Sequence, residues 1–193
     1  MAERYDSRWS FYVEMTVRET AARLGLSGAE RLLDVGCGTG ELLRHLSAAH
    51  PAPLLSGIDP VAEMLSVARR KLGTAIDLRE GWAENLPFDS QRFDVVVSCN
   101  MFHYILHPAD SLGEMRRVLR SGGRLVITDW CGDFWTCRVC DWYLRFFRSA
   151  HINVYREQAL VLLLEDSGYV IANLARYKIS RLWGLMTVVA TVA

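Results

Sequence analysis

Leu33-Asp34-Val35-Gly36-Cys37-Gly38-Thr39-Gly40-Glu41 carries an apolar strand into a carboxylate and then into glycines at three alternate positions. Glycine reaches positive φ without steric cost and has no Cβ. A turn built this way bends sharply and brings backbone N–H groups close to a ligand. The spacing is Gly-x-Gly-x-Gly, whereas a dinucleotide-binding turn reads Gly-x-Gly-x-x-Gly and seats a pyrophosphate on the helix that follows. Asp34 would repel a phosphate. It suits a cation, such as an ammonium or a sulfonium.

Working outward, Leu54-Leu55-Ser56-Gly57-Ile58-Asp59-Pro60 reads as a second strand ending in a carboxylate. Asp59 lies about 20 residues past the glycine turn, where folds of this type place a ribose hydroxyl acceptor; an N-cap for the next helix is the plainer reading of Asp59 alone. Three further stretches follow in order: Gly81-Trp82-Ala83-Glu84-Asn85-Leu86-Pro87-Phe88, Phe93-Asp94-Val95-Val96-Val97-Ser98, and Arg117-Val118-Leu119-Arg120-Ser121-Gly122-Gly123-Arg124-Leu125. Together with the glycine turn and Asp59, they resemble the motifs of the class I S-adenosylmethionine (SAM)-dependent methyltransferases over residues 31–130. The likeness is nearest to the small-molecule branch that includes the quinone and sterol C-methyltransferases.

That resemblance implies a Rossmann-like, doubly wound α/β sheet of seven strands with the last hairpin antiparallel and helices on both faces. It implies one domain over 1–193: an N-terminal helical cap (1–30), a SAM-binding core (31–130), and substrate-side helices with a terminal strand hairpin (131–193). The implied activity is transfer of a methyl group from SAM to a small-molecule acceptor. Asp34, Gly36, Cys37, Gly38, Gly40 and Asp59 would hold the cofactor, with Pro60 and Met64 beside Asp59. Many relatives place an acidic residue after Gly81; here Trp82 stands there, its ring walling the adenine while the Ala83 N–H reads the adenine edge, with Glu84 next. Asn100 joins the set past the fourth strand. Tyr5 and Tyr12 join it from the aromatic N-terminal segment, where a ring face can shield a sulfonium.

The alternation of strand and helix supports the same fold by itself. Strands are expected near 31–35, 54–58, 75–79, 93–98 and 123–128, and helices near 40–49, 61–72 and 108–119, the last opened by Pro108 and closed by Ser121-Gly122-Gly123. Beyond residue 130 come an aromatic helical stretch, Phe134 to Arg148, a helix from Arg156 to Ser167, and strand-like runs from Tyr169 to Lys178 and Leu182 to Ala193. The N-terminal segment reads as a helix packed by Trp9, Phe11 and Met15.

In such sheets ligands sit beyond the carboxyl ends of the strands. Asn100-Met101-Phe102-His103-Tyr104 and Asp129-Trp130-Cys131 should therefore face the transferred methyl. A base is needed only if the acceptor must shed a proton. His103 is the leading candidate, with a structural hydrogen-bond donor as the alternative. Asp129 is a second candidate, with a helix N-cap as the alternative. Tyr155 and His151, which share a face with Asn153 if the chain is extended, are candidate polar contacts for the acceptor. The rings of Phe134, Trp135, Trp142, Tyr143, Phe146 and Phe147 read as core, or as walls of an apolar or aromatic acceptor site.

The charge balance sets further bounds. Lys+Arg and Asp+Glu are 22 each, so no basic excess steers the chain onto nucleic acid. Neither a secretory signal nor a membrane-spanning stretch is evident, which places the protein in the cytoplasm. The five cysteines, an odd number, fit reduced thiols. Cys131, Cys137 and Cys140 read as packing residues; a redox or metal pair, or a thiolate site for arsenite as in related arsenite methyltransferases, are the alternatives. Two other readings keep the cofactor: a SAM-using enzyme of different chemistry, and a non-catalytic SAM-binding partner subunit.

Overall fold

A computed structural model describes residues 5–49, 54–147 and 153–192, with side chains described for these apart from 5–9 and 143–147. Its frame is a sheet of seven strands in the order β3-β2-β1-β4-β5-β7-β6. These strands are β1 (Arg31–Val35), β2 (Leu54–Asp59), β3 (Asp77–Glu80), β4 (Phe93–Cys99), β5 (Leu119–Trp130), β6 (Val170–Lys178) and β7 (Gly184–Thr191). Pairings from β3 through β5 are parallel, and β7 runs antiparallel to both β5 and β6. The order reverses between β1 and β4, which opens a crevice at their carboxyl ends.

Side-chain alternation explains the two covered faces. Leu33, Val35, Val96, Leu125 and Ile127 point to one face, where they pack with Leu112, Met115 and Val118 of α4 (Pro108–Val118) and Leu160 and Leu164 of α6 (Glu157–Asp166). Leu32, Val95, Val97 and Val126 point to the other. They meet Val17 and Leu24 of α1 (Tyr5–Leu24), Leu42, Leu43 and Leu46 of α2 (Glu41–Ala49) and Leu65 of α3 (Ala62–Leu72). Strands buried on both sides read as unbroken apolar runs, which is why β1 and β4 were legible.

Several expectations need correction. The Ser121-Gly122-Gly123 segment does not separate a helix from a strand that begins at 123. β5 begins at Leu119, directly after α4, and its pairing with β4 slips between Phe93↔Leu119 and Val95↔Arg124, so the glycines sit in an irregularity of the strand. Gly122 has φ +71°, which glycine takes without strain. In α1 the buried face is Tyr12, Thr16, Val17, Thr20 and Leu24, whereas Phe11 is exposed and so does not pack on the sheet; Met15 does pack, against the Tyr12 cluster. The aromatic helix α5 (Trp135–Phe147) is not a core stripe either: Trp135 and Trp142 are exposed. Trp9, Tyr143, Phe146 and Phe147 have side chains outside the described set, and His151 lies outside the described residues.

Candidate active site

The glycine turn follows β1 and is pinned to β2, since the Gly36 and Cys37 amides both donate to the Ile58 carbonyl, at 2.8 and 3.0 Å. All three glycines have positive φ, and their surroundings separate their roles. A Cβ at Gly36 would overlap the Met101 side chain. One at Gly40 would meet Leu72 Cδ1 at 2.8 Å and Ala68 Cβ at 3.2 Å, so Gly40 lets α3 approach the start of α2. A Cβ at Gly38 would meet nothing within 4 Å. Of the three, Gly38 borders open space. Cys37, expected among the cofactor contacts, turns its side chain into the core against Leu43 and Gly57, so only its backbone remains on the turn.

Two carboxylates flank this opening. Asp59 Oδ2 accepts from the Gly38 amide and Oδ1 from the Val61 amide, both at 2.9 Å, so the carboxylate is fixed at the mouth of the turn and is not the N-cap of α3, which is Val61. Each oxygen keeps a lone pair for a hydroxyl. Burial pushes the Asp59 carboxyl up, while the two amides oppose the shift. Asp34 is 2% exposed, and its Oδ1 has no hydrogen-bond partner. Burial, with the Asp59 charge adding to it, raises its pKa to about 8. Asp34 also raises the Cys37 and Cys99 thiols, which places it between the turn and the end of β4. A buried carboxylate oxygen left unpaired is costly, and an incoming cation would satisfy it.

Past β3, Trp82 is 66% exposed and Ala83 is buried. Among the described residues nothing accepts the Ala83 amide, which leaves that donor for a flat acceptor edge beside the exposed indole. Pro60, Met64 and Glu84 are half-buried in the same region, after β2, on α3 and after Trp82.

At the ends of β4 and β5 the structure joins two residues that the sequence offered separately. The His103 amide donates to Asp129 Oδ2 at 2.9 Å, and His103 Nδ1 lies 2.7 Å from Asp129 Oδ1. Asp129 therefore orients a histidine and does not cap a helix. Both are buried, and the imidazole stacks on Trp130, with ring centroids 5.5 Å apart and planes at 19°. With Nδ1–H donating to the carboxylate, Nε2 is the basic nitrogen. Tyr12 reaches the same edge from α1: its hydroxyl donates to Asn100 Oδ1 at 2.6 Å and accepts from Trp130 Nε1. Asn100 takes φ +58°, a conformation asparagine tolerates. Trp183 packs on both Tyr12 and Trp130, a contact no local sequence signal announced. Tyr5 has no described side chain.

Tyr155 packs on Phe102, with ring centroids 5.6 Å apart, and burial raises its hydroxyl pKa; Asn153 donates its amide to the His103 carbonyl. That segment is a half-buried loop, not a strand. The structure gives the cysteines of this region different surroundings, Cys140 being half-exposed. Cys131 and Cys137 are buried, Cys137 Sγ donates to the Gly184 carbonyl at 3.2 Å, and burial raises the Cys131 thiol to about 11. Among the described residues no three His, Cys, Asp or Glu side chains gather as a metal site, so nothing in the structure supports the thiolate site for arsenite.

The geometry is therefore two buried carboxylates, one fixed by two backbone amides and one with an unpaired oxygen, beside a turn that is open at Gly38. The family model described as "Methyltransferase domain" matches residues 8–174. This chain belongs to the class I SAM-dependent methyltransferases. It is 36% identical over 136 residues to a demethylmenaquinone methyltransferase of Thermus thermophilus, a match covering 67% of this chain and 62% of that protein. It is 41% identical over 113 residues to the phthiotriol/phenolphthiotriol dimycocerosates methyltransferase of Mycobacterium leprae, covering 57% of this chain and 41% of that one. The chain thus spans less than two thirds of the length of these relatives. In fold it matches a putative methyltransferase solved in complex with the Haloferax volcanii Trm112 activator, with TM-score 0.87 and 20% identity over 98% of this chain and 93% of that one. The cofactor of this methyltransferase family is SAM, and the residues present fit it.

Proposed function

We propose that this methyltransferase-family chain transfers the methyl group of SAM to a small, apolar or aromatic acceptor. One observation carries the cofactor assignment: Asp34 leaves a buried carboxylate oxygen unpaired beside an open glycine turn whose other wall is the fixed carboxylate of Asp59. In this reading Asp59 receives the ribose hydroxyls, Asp34 the ammonium, and Trp82 and the Ala83 amide the adenine, with Pro60, Met64 and Glu84 closing that side. When bound, SAM supplies a methyl group on a positively charged sulfur. The chain's own contribution is chiefly orientation, because displacement at a methyl needs alignment of the acceptor more than protein chemistry.

Where the acceptor must lose a proton, His103 Nε2 takes it, and Asp129 holds the ring in the required tautomer. Tyr155 stands beside this pair as a contact for the acceptor. Tyr12, tied to Asn100 and Trp130, closes α1 over the carboxyl ends of β4 and β5. Residues 1–193 act as one unit in this reading, with 1–30 as cap, 31–130 as cofactor core and 131–193 on the acceptor side. The names of the Thermus and Mycobacterium relatives support a small-molecule acceptor. The five free thiols support a reducing compartment, the cytoplasm.

Incubation with methyl-labelled SAM and a metabolite extract, followed by mass spectrometry, tests the reading. The expected result is a labelled product gaining one methyl. Turnover that vanishes in an Asp59→Ala variant would agree, and labelled product made equally well by that variant would contradict the assignment. His103→Gln should lower kcat by about a hundredfold or more for an acceptor that is deprotonated, with S-adenosylhomocysteine affinity unchanged. A loss seen only as reduced thermal stability would make His103 a structural residue.

A further inference from the structure

We propose that the outward face of α5 docks on an anionic lipid bilayer. Trp135, Val139 and Trp142 are 70%, 56% and 62% exposed and recur at i, i+4 and i+7, which puts them on one stripe of the helix. They line, together with Arg138, an open surface groove of about 330 Å³. The sequence repeats the pattern one heptad later with Arg145 and Phe146. Two indoles held out toward solvent are costly for a face that only ever meets water, and indole is a ring suited to the boundary between hydrocarbon and headgroup.

The opposite face of the same helix is fixed. Cys137 exchanges contacts with both the carbonyl and the amide of Gly184, at 3.2 and 3.4 Å. Gly184 opens β7, next to Leu185, which pairs with Trp130 at the end of β5. α5 therefore lies at the carboxyl edge of the sheet, on the side of His103 and Asp129, and can meet a surface without leaving its place.

Charge complementarity selects the occupant. Arg138 sits in the groove with the indoles, so phosphates can engage a guanidinium while apolar chains cover the rings. Asp141, one turn further along the helix, is half-buried and does not line the groove, so Arg138 is the charged side chain that the groove presents. At 13 residues α5 is too short to cross a bilayer, and among the described residues no helix is long and apolar enough to do so. The helix would lie in the plane of the interface.

The test is sedimentation of the full chain with phosphatidylcholine vesicles, with and without phosphatidylglycerol, at low and high salt. Binding to the anionic vesicles that weakens with salt is expected. The Trp135→Ser/Trp142→Ser double variant should partition about a hundredfold more weakly, each indole contributing about tenfold. Arg138→Gln should lose about fivefold in affinity for the anionic vesicles, with binding to neutral vesicles unchanged. Both variants should keep wild-type circular dichroism and S-adenosylhomocysteine affinity, which separates this proposal from the cofactor assignment. Wild-type protein that stays in the supernatant at every composition would overturn it, as would a double variant that binds like wild type. A wild-type dimer in analytical ultracentrifugation that the double variant disperses would assign the face to a second copy instead.

Discussion

Asp34 makes the cofactor assignment measurable through pH. Its carboxyl is held at about 8 by burial and by Asp59, so about one-tenth is ionised at pH 7 and about one-hundredth at pH 6. If the ammonium of SAM pairs with the ionised form, the apparent dissociation constant is the intrinsic one divided by that fraction. Affinity should then rise about tenfold from pH 6 to pH 7, or about 1.4 kcal/mol, an interval in which the ligand amine stays cationic. Titration calorimetry at pH 7 in two buffers of different ionisation enthalpy should show release of about 0.9 proton per bound ligand. An Asp34→Asn variant should bind more weakly and lose both the pH slope and the proton. Stability moves the other way. Because the folded pKa lies above the unfolded one, the contribution of Asp34 is whole below about pH 4 and is lost as pH rises through about 8. The Asn variant should flatten that decline. Affinity that stays constant from pH 6 to pH 7 would refute the pairing.

Asp59→Ala removes the ribose acceptor and also frees the Gly38 and Val61 amides, so S-adenosylhomocysteine should bind about ten- to a hundredfold more weakly by calorimetry. Gly38→Asn tests the open side of the turn. Asparagine accepts the φ of +52°, and its side chain enters ligand space, so binding should be lost with circular dichroism unchanged; an unfolded variant would make Gly38 a structural residue instead. Alkylation of native protein should label half-exposed Cys140 before buried Cys131 and Cys137, and As(III) should not protect any of them; saturable As(III) binding with methylated arsenic as product would restore the thiolate site.

Local signals carried most of the proposed cofactor side. The glycine spacing, Asp34 and Asp59 lie within a single β-turn-α-β unit, where sequence order dictates spatial order. The central strands were legible because burial on both faces leaves a continuous apolar run. What escaped depends on residues distant in sequence. The slip within β5 is set by its register against β4, and Gly122-Gly123 reads equally well in sequence as a turn before the strand or as an irregularity inside it. His103 and Asp129 are 26 residues apart, and Tyr12 and Trp130 are 118 apart; only closure of the sheet brings each pair together. Gly36, Gly38 and Gly40 look equivalent in sequence, yet Met101 and Leu72 occupy the space beside two of them. The rings of α5 misled for a related reason: aromatic spacing shows that a helix has an apolar stripe, and only the packing of Cys137 on Gly184 shows that this stripe faces outward.

The most direct test is a crystal structure of the chain with S-adenosylhomocysteine. The expected result is a ligand in the crevice past β1 and β2, with the ribose hydroxyls on Asp59, the amine on Asp34, the backbone of the Gly36–Gly40 turn against the ligand, and the adenine between Trp82 and the Ala83 amide. A nucleoside bound elsewhere, or one whose ribose and amine touch neither carboxylate, would contradict the account.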